Sequence, residues 1–531
     1  MDDVFNSVTE AMSRLKLGGA GIIKALVSGL HATSIAQGIT KSSAEFNKSC
    51  SSIASQLESI IPNGTIYFSD LVLAGSSVEF PENHSSCNRP SQVVFEDTCR
   101  IALYVSTSNN SGVNMEAWLP RKWTGRFLST GNGGLSGCIQ YEDMAYGSAL
   151  GFATVGTNNG HNGTSGEAFL NNLDVVEDFA YRSVLTGVSV GKTISKQFYS
   201  VPHAKSYYMG CSTGGRQGLK AAQDFPEHFD GIIAGAPAAA FSALESWHGY
   251  LHQITGPPGS PSFISPEQWN TLVDPDILDQ CDTIDGVKDG ILEDPNLCDY
   301  KPERLICPSH AKDRSTCLSG EQAKAIRKIF SPFYGSEGEL LYPRLQPGSL
   351  NIVPNGPATV IYNDPNFNTT NLNLTDFSSE AANPFNIDTW NGDLSSLKSK
   401  SGKLLTWHGQ ADGLISSSNS ERYYQHVGMG HCRGGPGAWA IGQSLAGTGG
   451  VVDEEMRRLK PDSEGGEGNV LMAMVRWVEQ GIPPEELVGV KYVEDDKTLG
   501  VKRRRSHCRY PMRNVYDGVG DGDKMESWKC K

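Results

Sequence analysis

The sequence predicts an α/β fold, a core sheet packed between helices and interrupted by a large insertion. Three observations carry that prediction. First, a short strand, Ser206-Tyr207-Tyr208-Met209, runs into Gly210-Cys211-Ser212-Thr213-Gly214 and on into a helix from Gly218 to Asp224. Gly-x-Ser-x-Gly between strand and helix is the nucleophile elbow of α/β-hydrolases. The serine there sits on a strained turn, and only glycines let neighbouring backbone pass so close. Second, Gly231-Ile232-Ile233-Ala234-Gly235-Ala236-Pro237 reads as a buried strand with a sharp end, and Lys403-Leu404-Leu405-Thr406-Trp407 as another core strand. Third, the texture changes between about 240 and 399, where Pro, Asn, Ser and Gly are dense and strong strands are absent.

The elements follow in chain order. Residues 1–38 form an N-terminal segment. Its first 17 residues are polar and amphipathic, and its apolar piece, Gly18 to Ala36, is broken by Lys24 and His31. It reads as a degraded signal region. Residues 39–65 look helical, then loop-like. Thr65–Phe68, Gln92–Phe95 and Arg100–Val105 alternate like strands. Arg126-Phe127-Leu128-Ser129 then runs into Gly131-Asn132-Gly133-Gly134. A strand ending in glycines is where this fold places part of its oxyanion hole, although a plain tight turn has the same composition. Asp174 to Gln197 is one long helical pattern. The expected division is 39–240 for the first part of the core, 241–400 for a lid domain, and 401–531 for the second part of the core.

Composition narrows the function. The 531 residues carry 45 Lys and Arg against 59 Asp and Glu, a net charge of −14. That balance argues against nucleic acid or an anionic membrane as partner. No apolar run reaches the length of a membrane span. Twelve cysteines, without a CxxC pair, point to disulfides and an oxidising compartment. Seven Asn-x-Ser/Thr sequons, at Asn47, Asn63, Asn83, Asn109, Asn162, Asn368 and Asn373, agree with secretion.

A serine nucleophile needs a base, and the base needs an orienting acid. In this fold the chain order is Ser, acid, His. After Ser212 the next acid at a strand end is Asp412, and the next glycine-flanked histidine is His431. The backbone N–H of Thr213 and one from Gly133 or Gly134 would hold the oxyanion. Cys211 precedes the nucleophile and Cys432 follows the histidine. A disulfide holds its Cα atoms within about 4.4–6.8 Å, so Cys211–Cys432 would fasten Ser212 beside His431. The alternative is that each cysteine pairs elsewhere.

On these residues the chain resembles the fungal tannase and feruloyl esterase family, with its Cys-Ser, Asp and His-Cys arrangement. The Gly131–Gly134 run, Ala234-Gly235-Ala236-Pro237 and the C-terminal stretch from Tyr510-Pro511 to Cys530 extend the likeness from about residue 45 to the end. The resemblance implies a secreted serine hydrolase of phenolic carboxylic esters from a filamentous fungus, with a lid over its site. It is nearer to the feruloyl esterase B type, releasing hydroxycinnamic acids from plant cell-wall polysaccharide esters, with a tannase acting on galloyl esters as the alternative. It also implies the pairs Cys50–Cys99, Cys87–Cys138, Cys211–Cys432, Cys281–Cys298, Cys307–Cys317 and Cys508–Cys530. The partner is a small phenolic ester or a feruloylated polysaccharide, and this reading leaves room for a homodimer without requiring one.

A second site lies in the insertion, from Cys281 to Leu292. Asp282, Asp285 and Asp289 with two glycines suit a loop folded round a hard cation, which prefers six to eight oxygens. The spacing is not that of an EF-hand, and a solvated acidic turn is the alternative. By resemblance the ion is structural calcium, held by those three carboxylates and by the carbonyls of Val287 and Ile291.

The chain departs from the pattern in one place. Residues 413–430, 18 in all, separate Asp412 from His431. A helix fits over Ser417 to Val427, but a further strand of about five residues with its turn does not. The family carries a longer segment there, so the reach of His431 to Ser212 is in question, and a catalytically inactive member is the alternative. His507-Cys508 is a rival His-Cys dipeptide, but it lacks glycine surroundings and follows Arg503-Arg504-Arg505.

Overall fold

The structure is a computed structural model. It describes residues 38–349, 383–430, 438–442, 469–496 and 499–531. The expected N-terminal segment, His431, Cys432, and the sequons at Asn368 and Asn373 lie outside the described residues.

Among the described residues the central sheet has nine strands. They are β1 (Gly64–Val72), β2 (Thr98–Ser106), β3 (Gly112–Pro120), β4 (Arg126–Thr130), β5 (Phe152–Thr157), β6 (Lys205–Cys211), β7 (Gly231–Gly235), β8 (Lys403–His408) and β9 (Ala438–Gly442). Their order is β9-β8-β7-β6-β4-β5-β3-β2-β1. Neighbours from β9 through β5 run parallel. Those from β5 through β1 run antiparallel. This is the α/β-hydrolase fold.

Alternation explains why the parallel strands read as unbroken apolar runs. Successive side chains point to opposite faces, and here helices cover both faces. Phe127, Ile232 and Leu404 enter one core, with Phe46, Ile53, Val184, Val188 and Leu219 from α1 (Ser43–Leu57), α2 (Ser183–Tyr199) and α3 (Thr213–Asp224). Leu128, Ile233 and Leu405, each one residue further on, enter another with Leu471, Met474 and Trp477. The Ser42 hydroxyl accepts the Glu45 N–H and the Glu45 carboxylate accepts the Ser42 N–H, which starts α1 where the sequence turns helical.

The pattern from Asp174 to Gln197 is not one uninterrupted α-helix. A π turn, Asp178–Arg182, joins Leu173–Glu177 to α2. It turns the Asp178 carboxylate inward, where it is fully buried and takes Arg182 Nε at 2.5 Å, Thr107 Oγ1 at 2.9 Å and Ser111 Oγ. Periodicity alone does not reveal a one-residue insertion of this kind.

β7 and β8 are adjacent in the sheet, yet about 170 residues of chain lie between them. The described part of that stretch packs Phe241, Trp247, Leu251, Trp269, Ile277, Ile326 and Tyr342 into one core with Phe169, Val175 and Phe179 from before β6 and Ile415 from after β8. Its first helix, α4 (Phe241–Thr255), returns directly from the end of β7 over the sheet edge. Among the described residues five disulfides form: Cys50–Cys99, Cys87–Cys138, Cys281–Cys298, Cys307–Cys317 and Cys508–Cys530. The partner expected for Cys211, Cys432, lies outside the described residues.

Candidate active site

The elbow is built from close backbone approach. Ser212 has φ 63° and ψ −121°, a conformation that side-chain-bearing residues rarely adopt, and it joins β6 to α3. Such strain persists only where its surroundings fix it. Here the Ser212 N–H donates to the Gly235 carbonyl at 3.0 Å, and its own carbonyl accepts from Ala238 N–H at 3.1 Å. A Cβ on Gly210 would stand 2.8 Å from the Gly214 backbone, and one on Gly215 would stand 2.2 Å from the Gly235 carbonyl. The small residues of the motif are therefore sterically required.

Thr213 is the first residue of α3, so its N–H has no acceptor within the helix. Its hydroxyl donates to the Gly134 carbonyl at 2.7 Å, which ties the glycine loop to the elbow. Gly134 itself has φ +56°. Asn132 anchors the same loop, its side chain donating to the carbonyls of Cys138 at 2.9 Å and Thr157 at 2.7 Å. Gln217, one turn into α3, accepts the Asn132 N–H. Arg216 is fully buried and donates to the carbonyls of Phe179 and Ala180, both at 2.9 Å. Burial pushes its pKa down to about 10. The π turn and the elbow helix are thereby locked together.

Asp412 stands in the turn after β8. Its Oδ1 accepts N–H groups from Leu414 at 2.8 Å and Ile415 at 2.9 Å. Its Oδ2 lies 3.2 Å from His408 Nε2, which also faces the Ile415 carbonyl at 3.0 Å and therefore donates. Burial works to raise the carboxyl, but His408 and the two backbone donors outweigh it and hold the pKa below the usual range.

Ser212, Thr213 and Gly134 share one cavity of about 510 Å³ with Leu135, Leu170, Phe241, Leu244, Leu414 and Ile415. Glu245 and His248 of α4 line it too. The two residues that follow the Asp412 turn thus reach the serine. His507 lies elsewhere, buried on the strand Val501–Cys508 and lining a separate cavity with Glu293, Glu421 and Arg513. The structure brings together Ser212, Thr213, Gly134 and the Asp412 turn, and Gly133 precedes Gly134 in the same loop. His431 lies outside the described residues.

Sequence reasoning missed Gln217, Arg216, Glu245 and His248. Gln217 and Arg216 follow the serine by five and four residues on a helix buried along most of its length, where two large polar side chains needed partners. That was a readable signal. Glu245 and His248 carried none, since their meeting with Ser212 depends on how the lid folds back.

A strained serine at the sheet edge, a helix N-terminus beneath it and an acid after the penultimate strand define a serine hydrolase of the α/β-hydrolase fold. Sequence comparison makes the assignment narrower. The chain matches the family described as tannase and feruloyl esterase over residues 99–385 and 348–531. It belongs to that family and is a carboxylic ester hydrolase. A protein from Aspergillus terreus named "Probable feruloyl esterase B-2" is 47% identical over 520 residues, covering 91% of this chain and 95% of that one. Among solved structures, an esterase from Aspergillus oryzae superposes with a TM-score of 0.85 at 45% identity, covering 92% of this chain and 100% of its own. Feruloyl esterase B from Aspergillus oryzae gives a TM-score of 0.84 at 40% identity, with the same coverage. No helix of the described residues is long and apolar enough to cross a membrane.

Proposed function

We propose that this chain is a secreted feruloyl esterase, releasing ferulic and related hydroxycinnamic acids from plant cell-wall polysaccharide esters. One observation carries the substrate class: the Ser212 cavity is walled mainly by Leu135, Leu170, Phe241, Leu244 and Ile415, a surface suited to an aromatic acyl group. The similar proteins named for feruloyl esterase activity support it. The five disulfides support an oxidising compartment.

Ser212 Oγ attacks the ester carbonyl while His431 takes its proton. The N–H of Thr213 and one from Gly133 or Gly134 hold the oxyanion. His431 then returns the proton to the leaving alcohol, and water releases the acid from the acyl-serine by the same steps. Asp412 orients and stabilises the imidazolium. Hydrolysis of methyl ferulate and methyl gallate, with Ser212→Ala as blank, tests this. Faster ferulate turnover is expected; turnover of gallate alone would transfer the assignment to tannase, and activity retained by Ser212→Ala would overturn the mechanism.

Calcium is the proposed structural ion of the loop between Cys281 and Cys298. Asp282, Asp285 and Asp289 would hold it through carboxylates, and Val287 and Ile291 through carbonyls. Burial raises the Asp285 carboxyl, and the negative charges of Asp289 and Asp282 raise it further, a repulsion that a cation would relieve. Parts of these carboxylates are already engaged. Asp282 Oδ1 accepts N–H groups from Asp289 and Gly290, and Asp289 Oδ2 pairs with Arg505 at 2.5 Å. Among the described residues no three acidic or histidine side chains converge on one point, so the three carboxylates would have to draw together to hold an ion.

A further inference from the structure

The wall of the Ser212 cavity is apolar along Leu135, Leu170, Phe241, Leu244, Leu414 and Ile415, polar and exposed at Thr164, Ser165 and Glu167, and charged but largely buried at Glu245 and His248. Glu245 and His248 lie three residues apart on α4, so both project from one side of the helix. His248 is buried, and its Nε2–H donates to the Leu414 carbonyl at 2.7 Å, which fixes the ring. Its Nδ1 stands 3.9 Å from Glu245 Oε2. That is ion-pair spacing, longer than a hydrogen bond. Burial opposes a charge on His248, but Glu245 and the Leu414 carbonyl outweigh it and favour the imidazolium. Glu245 is 11% exposed at the side chain and, among the described residues, accepts no direct hydrogen bond. Its neighbours Phe241 and Leu244 supply no donor. Glu167, the other acid of the wall, is solvent-exposed.

A carboxylate on a cavity wall with unused lone pairs offers an acceptor to a donor on the ligand. The imidazolium behind it balances the charge without filling that role. The esters expected at this site differ in one relevant group, the phenolic hydroxyl of the acyl ring. We propose that the Glu245 carboxylate, steadied by His248, accepts the phenolic O–H of the bound acyl group and thereby selects hydroxylated over unhydroxylated or O-methylated cinnamoyl esters. This rests on the ester-hydrolase reading above. A phenol donating to a carboxylate is a charge-assisted bond. A site built around such a bond discriminates against ligands lacking the donor far more than an apolar wall discriminates one methyl group.

The test separates binding from turnover. In the Ser212→Ala background, which binds without reacting, the Kd of methyl ferulate and of methyl 3,4-dimethoxycinnamate is measured by calorimetry. Glu245→Leu is expected to raise the Kd for ferulate by about 10–100-fold while moving the dimethoxy ester by less than about threefold. Glu245→Gln, close in shape and still an acceptor, is expected to fall between and guards against a misfolded variant. An equal loss for both esters, no loss for either, or no binding of ferulate to the Ser212→Ala protein would overturn the assignment. Methyl ferulate turnover by the intact serine enzyme judges the hydrolase reading separately.

Discussion

Gln217 and Asn132 hold each other by two hydrogen bonds. Gln217 Oε1 accepts the Asn132 backbone N–H at 3.0 Å, and Gln217 Nε2 donates to Asn132 Oδ1 at 3.2 Å. A third bond, Gln217 Nε2 to Asn159 Oδ1 at 2.8 Å, extends the network to the loop after β5. All three residues are buried. The glycine loop before Gly133 and Gly134 is therefore tied to the same helix that presents Ser212, which couples the proposed oxyanion loop to the serine.

Gln217→Leu keeps the volume and removes all of these bonds, with the one that Gln217 Oε1 accepts from the Tyr208 hydroxyl. It leaves the Asn132 N–H unsatisfied and frees the loop to shift. Stability is expected to fall by about 1–3 kcal/mol, and kcat on methyl ferulate by about 10–100-fold with little change in KM. Denaturant unfolding and steady-state kinetics check the two figures independently. A drop in stability with kcat unchanged would show that the loop does not carry the oxyanion donor.

The sheet and elbow were legible because each is local. The elbow is written in five consecutive residues, and Ile232-Ile233 and Leu404-Leu405 betray strands buried on both faces. The place of Asp412 just beyond a strand was legible too. Features that depend on distant packing were not. Phe152–Thr157 contains two threonines and a glycine and gives little apolar signal, yet it is buried along its whole length between neighbouring strands. The π turn at Asp178 and the pairing of Glu245 with His248 arise only when separate elements meet.

His507 offers a clean pH prediction. It is 5% exposed, with neither ring nitrogen hydrogen-bonded among the described residues, and burial pushes its pKa down to about 4. The unfolded chain takes up a proton near pH 6.5, whereas the folded chain does so only near 4. Between those values the unfolded state binds more protons, so stability falls as pH falls, by about 3 kcal/mol once both titrations are complete. His507→Asn should flatten that part of the stability profile, measured by thermal unfolding from pH 7 to 4. Because His507 lines a cavity apart from Ser212, the same variant should keep its turnover at neutral pH. Loss of turnover in a folded variant would return it to consideration as the base.

Calcium in the lid loop predicts a concentration-dependent melting temperature. A ligand that binds only the folded chain at 100 times its Kd adds about 2.7 kcal/mol. Chelation should lower Tm by several degrees, and added calcium should restore it. Asp285→Asn should lower Tm in calcium and make it insensitive to chelator. An unchanged Tm on chelation of the wild-type protein would dismiss the ion and leave an acidic turn balanced by Arg503 and Arg505.

The register of the last strands decides from which side a base can reach Ser212. Cys211 pairs with Gly235, and Gly235 with Trp407, so the serine follows the sheet edge marked by Trp407. β9 lies parallel to β8, from Leu404 opposite Ala438 to His408 opposite Gly442. The helix Ser417–Gly430 connects them, as a parallel crossover requires. In α/β-hydrolases the last strand comes before the histidine, which the following loop delivers at the serine's edge. Here β9 comes after position 431 in the chain, because residues 413–430 hold a turn and a helix and no strand. The expected shortage of room is thus met by taking the edge strand from beyond the histidine. Phosphonate labelling of Ser212 requires an activated nucleophile, and general-base assistance contributes about 10²–10⁴-fold. Labelling of the wild-type chain is therefore expected to be at least about a hundredfold faster than that of His431→Ala. Equal rates in two folded proteins would mean that His431 does not serve as the base.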